Sequence, residues 1–556
     1  MNAAVAPHPP QAGPRERLDA IASRVGLDAV ELGALIALAV IAMVPLIALV
    51  TQGRPLSGAD GLLATDQLQY FAWIREAGNH ILAGNLWDLQ PGERRFLHPG
   101  FLLSGLLHRF TGLSIPASYL LLWKPVAIGL TFTGCLVYVR RLLAPGGRRH
   151  AALLIALFAV MPASAVAAWT GWGGKPREYS FDFISGEMWS GQYLWGYLMT
   201  AIAVFTMPFV LLGLERWRGD RSRTRLLVLA AVATLLVTWL QPWQGATLAA
   251  IVWGVEGWRW LRSRERPAWA MLTAIAVAVV IPSAYYLWLS KVDPAWELAG
   301  KSNAAGSQAL WSWPWWAMAL TVAPLAVPAV LAYRQATPSW QDVAVRIWPL
   351  AILVVYLLPL GTFPYHAFQG LTLPLAILAV QGVVSVWPHP RPVVVAVALG
   401  LLILPGLAHK LQVAKHSVHS GGDPFYVFGG EVDALKALES DPRPGGVLAP
   451  SYASYMTPYR TGREVYIGPF SWTPDWTRRQ QRSNDLFEGR LTGAAARRFV
   501  VSTHARWLFA DCRPLTDLTA TLAPLLAAPP RRFGCATLYE LKDRPDMARA
   551  AGAPDA

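Results

Sequence analysis

Acidic side chains and aromatic rings alternate in segment 169–192, and this mixture of residue types could bind a sugar. The C–H faces of a sugar stack on aromatic rings, while its hydroxyl groups need acceptors such as carboxylates. We expect that one of the two acids Asp182 and Glu187 lies in an active site. The rings around them could instead anchor the chain at a membrane surface, where Trp and Tyr concentrate. These rings are Trp169, Trp172, Tyr179, Phe181, Phe183, Trp189 and Tyr193.

A second candidate, Asp66, lies earlier in the chain, in the segment Thr65–Arg75. Leu68, Phe71 and Ile74 form one stripe at helical spacing in this segment, which predicts an amphipathic helix lying in the membrane interface. Asp66 would then be either a helix cap, as would Thr65, or a carboxylate that takes a proton during a reaction. Asp60 is the alternative acid. Its setting, Gly58-Ala59-Asp60-Gly61, is more typical of a turn.

Two basic residues lie in or beside apolar runs. His366 falls in a tight return between two such runs, and an ionisable group at a membrane edge is a candidate functional residue. A solvated interfacial histidine is the alternative. Lys124 falls inside an apolar run, and we expect it to snorkel, with its stem along apolar surface and its ammonium in water.

The composition shows that these candidates belong to a membrane protein. Of 556 residues, 54% are hydrophobic and only 15% are charged, whereas soluble proteins carry roughly 25% charged residues. The mean hydropathy is +0.34. The run Leu32–Val50 alone is long enough to cross a hydrocarbon core of about 30 Å. A soluble enzyme, a disulfide scaffold and a disordered chain are excluded.

Eleven such runs predict a polytopic helical bundle with a cytoplasmic N-terminus. The formal net charge of +14 then follows from topology, because basic residues are about threefold denser in the predicted inside segments, as the positive-inside rule requires. It implies no nucleic-acid partner. The predicted spans are 30–51, 117–138, 150–168, 193–214, 226–240, 243–257, 268–290, 311–332, 347–361, 370–386 and 393–409.

The spans divide the chain into four parts. Residues 1–29 form a cytoplasmic tail before an uncleaved signal anchor, since the apolar run is too long for a signal peptide and no cleavage site follows it. Residues 30–409 form the membrane domain, with long outside loops at 52–116 and 169–192. An odd number of spans puts residues 410–545 outside the cytoplasm, and 546–556 is a tail. The location is therefore the plasma (inner) membrane.

Residues 410–545 predict a small α/β domain, because short apolar segments alternate there with turn residues. The predicted strands are Gly446–Ala449, Arg463–Gly468, Arg506–Ala510 and Cys535–Leu541, and the predicted helices are Glu431–Glu439 and Asn484–Leu491. Cys512 and Cys535 both lie in this exported domain, where an oxidising compartment permits a disulfide between them. The third cysteine, Cys135, lies in an apolar run. No cysteine or histidine cluster indicates zinc.

The order and side of several short motifs resemble the GT-C superfamily of integral-membrane glycosyltransferases. The resemblance is carried by a first span, a long outside loop that opens with an Asp before an aromatic helix, and an exported domain after the last span. Each motif is short and weak alone, and the likeness covers residues 30–545. The motifs are Asp66-Gln67-Leu68-Gln69-Tyr70, His98-Pro99, Gln241-Pro242-Trp243-Gln244, Phe363-Pro364-Tyr365-His366, Leu373–Leu378 and Pro458–Gly468.

This resemblance implies transfer of a sugar from a polyprenyl-phosphate donor to an extracytoplasmic glycan or lipid-linked acceptor, with inversion. It implies that Asp66 is the general base, with Asp60 as runner-up, and that Asp182 or Glu187 is a second catalytic acid. No Asp-x-Asp stands in the first loop and Gln241 replaces a common His, so a requirement for Mg²⁺ or Mn²⁺ stays open. The implied ligands of the donor phosphate and sugar are Arg75, His98, Lys175, Arg177, Gln241 and His366.

Two other classes of function are compatible with a bundle of this size. A transporter or flippase of lipid-linked saccharides would need charged residues deep within several spans, and Glu31, Lys124 and Glu256 all lie near span ends. A non-catalytic polysaccharide assembly protein would tolerate the loss of Asp66.

Overall fold

The predicted spans overlap helices in the computed structural model of the protein, but their number, eleven, stays a prediction. The structure describes residues 22–172, 174–311, 315–358, 363–420, 424–513 and 516–543. Within these, seven helices are long and apolar enough to cross a membrane, and a pair bent by 51° makes an eighth candidate. Two further apolar helices are shorter. The helices at the predicted spans are α1 (Ala29–Val50), α4 (Ile115–Leu142), α5 (Gly147–Phe158) with α6 (Pro162–Thr170), α9 (Leu198–Gly219), α10 (Thr224–Leu240), α11 (Pro242–Ser263), α12 (Trp269–Val292), α14 (Trp315–Ala332), α15 (Trp340–Leu357), α16 (Thr372–Val386) and α17 (Pro392–Ser420).

The two long loops that the sequence places outside are helical rather than irregular. The first contains α2 (Ala64–His80) and α3 (Pro99–Thr111), and the second contains α7 (Gly174–Met188) and α8 (Ser190–Leu194). A further helix, α13 (Pro294–Trp311), follows α12, and a 3₁₀ turn at Pro364–Phe368 joins α15 to α16. These elements lie on the same end of the bundle as the C-terminal domain, because that domain makes direct contacts with the first loop.

Helix α2 differs from the prediction in two respects. Leu68, Phe71 and Ile74 are completely buried, and so is most of the opposite face of the helix, so α2 is enclosed by protein and does not lie on a membrane surface. The helix also begins at Ala64, and its N-cap residue Leu63 makes no side-chain bond. The capping interpretation of Asp66 is therefore wrong, because Asp66 is the third residue of the first turn.

The C-terminal domain has a four-stranded sheet with strand order β1-β2-β4-β3. Strands β1 and β2 are parallel and the other pairings are antiparallel. The predicted strand Arg463–Gly468 is reduced to one bridge, between Val447 and Val465, and the predicted helix Asn484–Leu491 begins earlier. The elements are α18 (Gly429–Ser440), β1 (Val447–Leu448), α19 (Ser451–Thr461), α20 (Trp476–Phe487), α21 (Gly493–Thr503), β2 (Trp507–Ala510), α22 (Thr519–Leu522), a 3₁₀ turn (Ala523–Leu525), β3 (Arg531–Phe533) and β4 (Ala536–Glu540).

The C-terminal domain is attached to the first outside loop by backbone hydrogen bonds. Ser57 N–H donates to Phe425 O at 2.8 Å, and Val427 N–H donates to Pro55 O at 2.9 Å. The Tyr459 hydroxyl donates to Ser57 O at 2.5 Å. Within the domain, Cys512 and Cys535 form the predicted disulfide, with Cα atoms 4.9 Å apart. Cys135 is free and buried.

Candidate functional site

Asp66 is held by a tyrosine from another part of the chain. Its Oδ2 accepts a hydrogen bond of 2.9 Å from the hydroxyl of Tyr197, and the Asp66 side chain is only partly exposed. Burial raises the pKa of Asp66 above its ordinary value, although the hydrogen bond from Tyr197 and the charge of His366 act in the opposite direction. A carboxylate with a raised pKa is a better proton acceptor than one in free water.

Close approach of two glycines brings Tyr197 beside Asp66. A Cβ atom on Gly61 would lie 2.4 Å from the carbonyl oxygen of Trp195, so only glycine allows the two backbones to meet there. Gly196 has a φ of +105°, a conformation that L side chains rarely adopt. We call this contact of Gly61 with Trp195 and Gly196 the glycine crossing. Gly61 lies three residues before α2 begins, and Gly196 directly precedes Tyr197, which is followed by α9.

Glu187 and His366 form the second half of the site. Glu187 Oε2 lies 3.1 Å from His366 Nδ1 and accepts a hydrogen bond of 2.9 Å from Gln369 Nε2. Gln369 Oε1 in turn accepts from Gln241 Nε2 at 3.1 Å. Glu187 lies on α7, His366 on the 3₁₀ turn and Gln241 between α10 and α11. The structure therefore joins three residues that the sequence placed in separate motifs, and Gln369 is a member that sequence reasoning missed.

The two halves of the site influence each other through their charges. His366 acts on the pKa of Asp66, and the charges of both Asp66 and Glu187 raise the pKa of Tyr70 and Tyr197, for which burial is the larger cause. Both phenols therefore stay protonated and can donate hydrogen bonds at neutral pH. That Asp66 and Glu187 act together on one substrate stays a prediction.

Asp182 has a different role. Its Oδ1 lies 2.8 Å from Lys410 Nζ and 3.3 Å from His409 Nε2, and both residues lie on α17. Burial raises the pKa of Asp182, but Lys410 and His409 outweigh it, and the pKa falls to about 2. A carboxylate this acidic and paired is a poor general base, so the catalytic interpretation of Asp182 is not supported. Sequence reasoning missed Lys410 and His409, whose signal was a charged pair at the end of the last span.

Asp60 and Lys124 pair with each other, which corrects both predictions about them. Asp60 is completely buried, and 5% of the Lys124 side chain is exposed. Lys124 therefore points into the protein instead of snorkelling to water. Asp60 has its charge compensated by Lys124 and has no access to solvent, so it does not qualify as the alternative base.

Two of the six predicted donor ligands have structural partners instead. Arg75 donates to the carbonyl oxygens of Tyr459 and Arg460 at 3.1 and 3.0 Å and to Glu439 at 2.8 Å, so it ties α2 to the C-terminal domain. His98 is buried, caps α3 by accepting from Phe101 N–H at 3.3 Å, and stacks on the Phe101 ring. Burial lowers the pKa of His98 to about 3, so it is neutral.

The remaining predicted ligands are Gln241 and His366, which lie in the site, and Lys175 and Arg177, whose side chains are outside the described residues. Within the described part of the chain, no group of three His, Cys, Asp or Glu side chains is arranged to hold a metal ion. A requirement for Mg²⁺ or Mn²⁺ therefore stays open, as it was from the sequence.

Comparison with known proteins shows the fold. No family model matches the chain, and no curated protein matches it. The apo oligosaccharyltransferase of Archaeoglobus fulgidus superposes with a TM-score of 0.50 at 11% identity, over 93% of this chain and 72% of that one. AglB of the same organism, in complex with an inhibitory peptide and a dolichol-phosphate, has a TM-score of 0.48 at 11% identity, over 89% and 70%. ArnT from Cupriavidus metallidurans, bound to undecaprenyl phosphate, has 0.44 at 13% identity, over 94% and 99%.

The first of these likenesses confirms the fold class predicted from the sequence. The chain is a multi-pass helical membrane protein with a C-terminal α/β domain, and it shares its overall fold with that oligosaccharyltransferase. Identities near 11% establish a shared fold and not a shared substrate.

Proposed function

We propose that the protein is a membrane glycosyltransferase that transfers a sugar from a polyprenyl-phosphate donor to an extracytoplasmic glycan or lipid-linked acceptor. The observation that carries the proposal is the placement of Asp66. It is an acid whose pKa is raised by burial, it accepts a hydrogen bond from Tyr197, and the charge of His366, the partner of Glu187, acts on its pKa. The likeness in fold to the oligosaccharyltransferase of Archaeoglobus fulgidus supports a scaffold suited to this class of reaction.

The chemistry is a single displacement with Asp66 as the general base. The hydroxyl oxygen of the acceptor attacks the anomeric carbon of the donor, and the bond from that carbon to the phosphate oxygen breaks. The hydroxyl proton passes to the Asp66 carboxylate, and polyprenyl phosphate leaves with the bonding electron pair. Attack opposite the leaving group inverts the anomeric configuration. A positioned base of this kind contributes typically 10²–10⁴-fold to the rate.

The departing phosphate needs hydrogen-bond donors where its charge develops, and His366 is the residue that we assign to it. Its Nδ1 is engaged by Glu187 at 3.1 Å. A doubly protonated His366 would donate Nδ1–H to Glu187 and keep Nε2–H for the phosphate. Gln241 and Gln369 extend the same network, so they would hold the Glu187 carboxylate in place during the reaction.

The proposed orientation puts this site at the outer face of the plasma membrane. The N-terminus would be cytoplasmic, and the two long loops and the C-terminal domain would lie outside. A disulfide between Cys512 and Cys535 suits an oxidising compartment on that side. A lipid carrier would keep its polyprenyl tail between helices of the bundle and present its phosphate and sugar to Asp66.

A glycan profile of a deletion strain tests this function. We expect the strain to lack one sugar from an envelope glycan and to accumulate the corresponding polyprenyl-phosphate sugar. Wild-type protein should restore the profile, whereas Asp66→Asn, expressed at the same level, should not. Full restoration by Asp66→Asn would overturn the proposal and would favour a transporter or an assembly protein, neither of which needs this carboxyl group.

A further inference from the structure

Asp60, six residues before Asp66, forms a buried ion pair with Lys124. The proposed reaction does not use this pair. Neither side chain reaches solvent: Asp60 is completely buried and 5% of Lys124 is exposed. Removing two charges from water costs more than their attraction often returns, so a buried ion pair is weak evidence for a role in stability alone. The partners of Asp60 indicate what else the pair does.

Asp60 is joined to Gln67, the residue directly after Asp66. Asp60 Oδ1 accepts a hydrogen bond of 2.7 Å from Gln67 Nε2. Gln67 Oε1 accepts in return from the backbone N–H groups of Asp60 and Gly61, at 2.8 and 2.9 Å. Gln67 is 1% exposed. Three hydrogen bonds therefore fix the carboxamide of Gln67 in one orientation, and Lys124 fixes the carboxylate that it faces.

These contacts connect the two segments that carry Asp66 and Tyr197. Gln67 belongs to the first turns of α2, which carry Asp66, and Gly61 belongs to the glycine crossing that leads to Tyr197. The Asp60–Gln67 bonds therefore fix the start of α2 relative to this crossing. Lys124 lies on α4, so its ion pair with Asp60 ties both segments to a span of the membrane bundle.

We propose that Asp60 and Gln67 are positioning residues that hold the Asp66 carboxylate in register with Tyr197, while Lys124 compensates the buried charge of Asp60. We call these three residues the α2 clamp. The inference rests on the proposed function in that Asp66 is taken as the base. The need for an acceptor explains why position 60 is polar: an apolar pair at 60 and 124 would avoid buried charge, but it would leave the Gln67 amide without its acceptor.

Two double variants separate positioning from charge compensation. Asp60→Asn with Lys124→Met removes both charges and keeps a side-chain oxygen for Gln67 Nε2. Asp60→Leu with Lys124→Met also removes both charges but removes that oxygen. Neither variant buries an uncompensated charge, so both should fold, and thermal unfolding of the full-length protein in lipid nanodiscs checks this. If the leucine variant fails to fold, Gln67→Met, which leaves the ion pair intact, takes its place.

Two readouts decide the outcome. With a panel of synthetic farnesyl-phosphate monosaccharides as donors, we expect the leucine variant to lose about 10- to 100-fold in kcat at unchanged KM, since a misplacement of 1 Å can cost 10²-fold. The asparagine variant should stay within about threefold of wild type. Hydrogen exchange should be faster over residues 58–72 in the leucine variant alone.

Equal kcat values and equal exchange in the two variants would overturn the clamp. Failure of the proposed function has a different signature, in which Asp66→Asn turns over as fast as wild type or wild type consumes no donor of the panel. In that case hydrogen exchange alone decides whether the clamp orders the start of α2, and no difference between the variants would refute it.

Discussion

Replacing Tyr197 by Phe removes one hydroxyl group and tests the assignment of Asp66 as the base. The Tyr197 hydroxyl donates to Asp66 Oδ2 at 2.9 Å and so stabilises the charged carboxylate. Burial already raises the pKa of Asp66, and the bond from Tyr197 limits that rise. Loss of the bond should therefore raise the pKa of Asp66 further, since only the charged form gains from it.

The size of the effect follows from the strength of such a bond. A hydrogen bond to a charged group contributes about 1.5–3 kcal/mol, and one pKa unit corresponds to about 1.36 kcal/mol. The acidic midpoint of the activity should therefore move upward by roughly one to two pH units. A general base works only when ionised, so activity is lost as the pH falls through this midpoint, and the variant should lose it at a higher pH than wild type.

The assay is the initial rate of polyprenyl-phosphate release by protein in nanodiscs, measured from acidic to neutral pH. Tyr333→Phe is the matched control. Its hydroxyl donates to Arg346 O at 2.7 Å, and it lies in the connection before α15, at the opposite end of that helix from His366. The control should keep the wild-type midpoint. An unchanged midpoint in Tyr197→Phe, with normal folding, would refute the assignment of Asp66 as the titrating base.

Three further predictions concern the scaffold of the site. Gly61→Ala places a Cβ atom 2.4 Å from Trp195 O, so transfer activity should fall at least 10-fold, and wild-type activity would contradict the need for the crossing. Replacing Cys512 and Cys535 by Ser removes a disulfide across a separation of 23 residues and should destabilise the C-terminal domain by about 3 kcal/mol in chemical unfolding; unchanged stability would contradict this. A phosphatase reporter that works only outside the cytoplasm should be active when it is fused after residue 409. An expressed but inactive fusion would contradict the proposed orientation.

Hydropathy was sufficient to predict a bundle of membrane-spanning helices, because each segment that must cross the bilayer carries its own signal of length and composition. Seven helices, or eight with the bent pair, meet both requirements among the described residues. Helix α2 shows the limit of that approach. Its stripe of Leu68, Phe71 and Ile74 was correctly predicted as helical, but the C-terminal domain, far along the chain, also covers this helix: Tyr459 contacts Phe71, and Trp472 contacts Trp73. Amphipathic spacing predicts that a segment is helical, but it does not identify which part of the protein packs against that helix.

The site residues show the same division between local and long-range information. Asp66 and His366 could be proposed from motifs on the predicted outer side. The contact of His366 with Glu187 spans 179 residues, and that of Lys124 with Asp60 spans 64 residues. Nothing in a single sequence indicates such pairs, so Lys124 was assigned to snorkelling and Asp182 could not be separated from Glu187.

The most direct test of the central claim is the rate of sugar transfer by Asp66→Asn in purified form. The variant keeps the shape of the side chain and can still contact the Tyr197 hydroxyl, but it cannot take the proton of the acceptor. With saturating polyprenyl-phosphate sugar and acceptor, we expect kcat to fall on the order of 10²-fold or more while donor affinity is retained. A kcat equal to that of wild type would contradict the claim that this carboxyl group performs the chemistry.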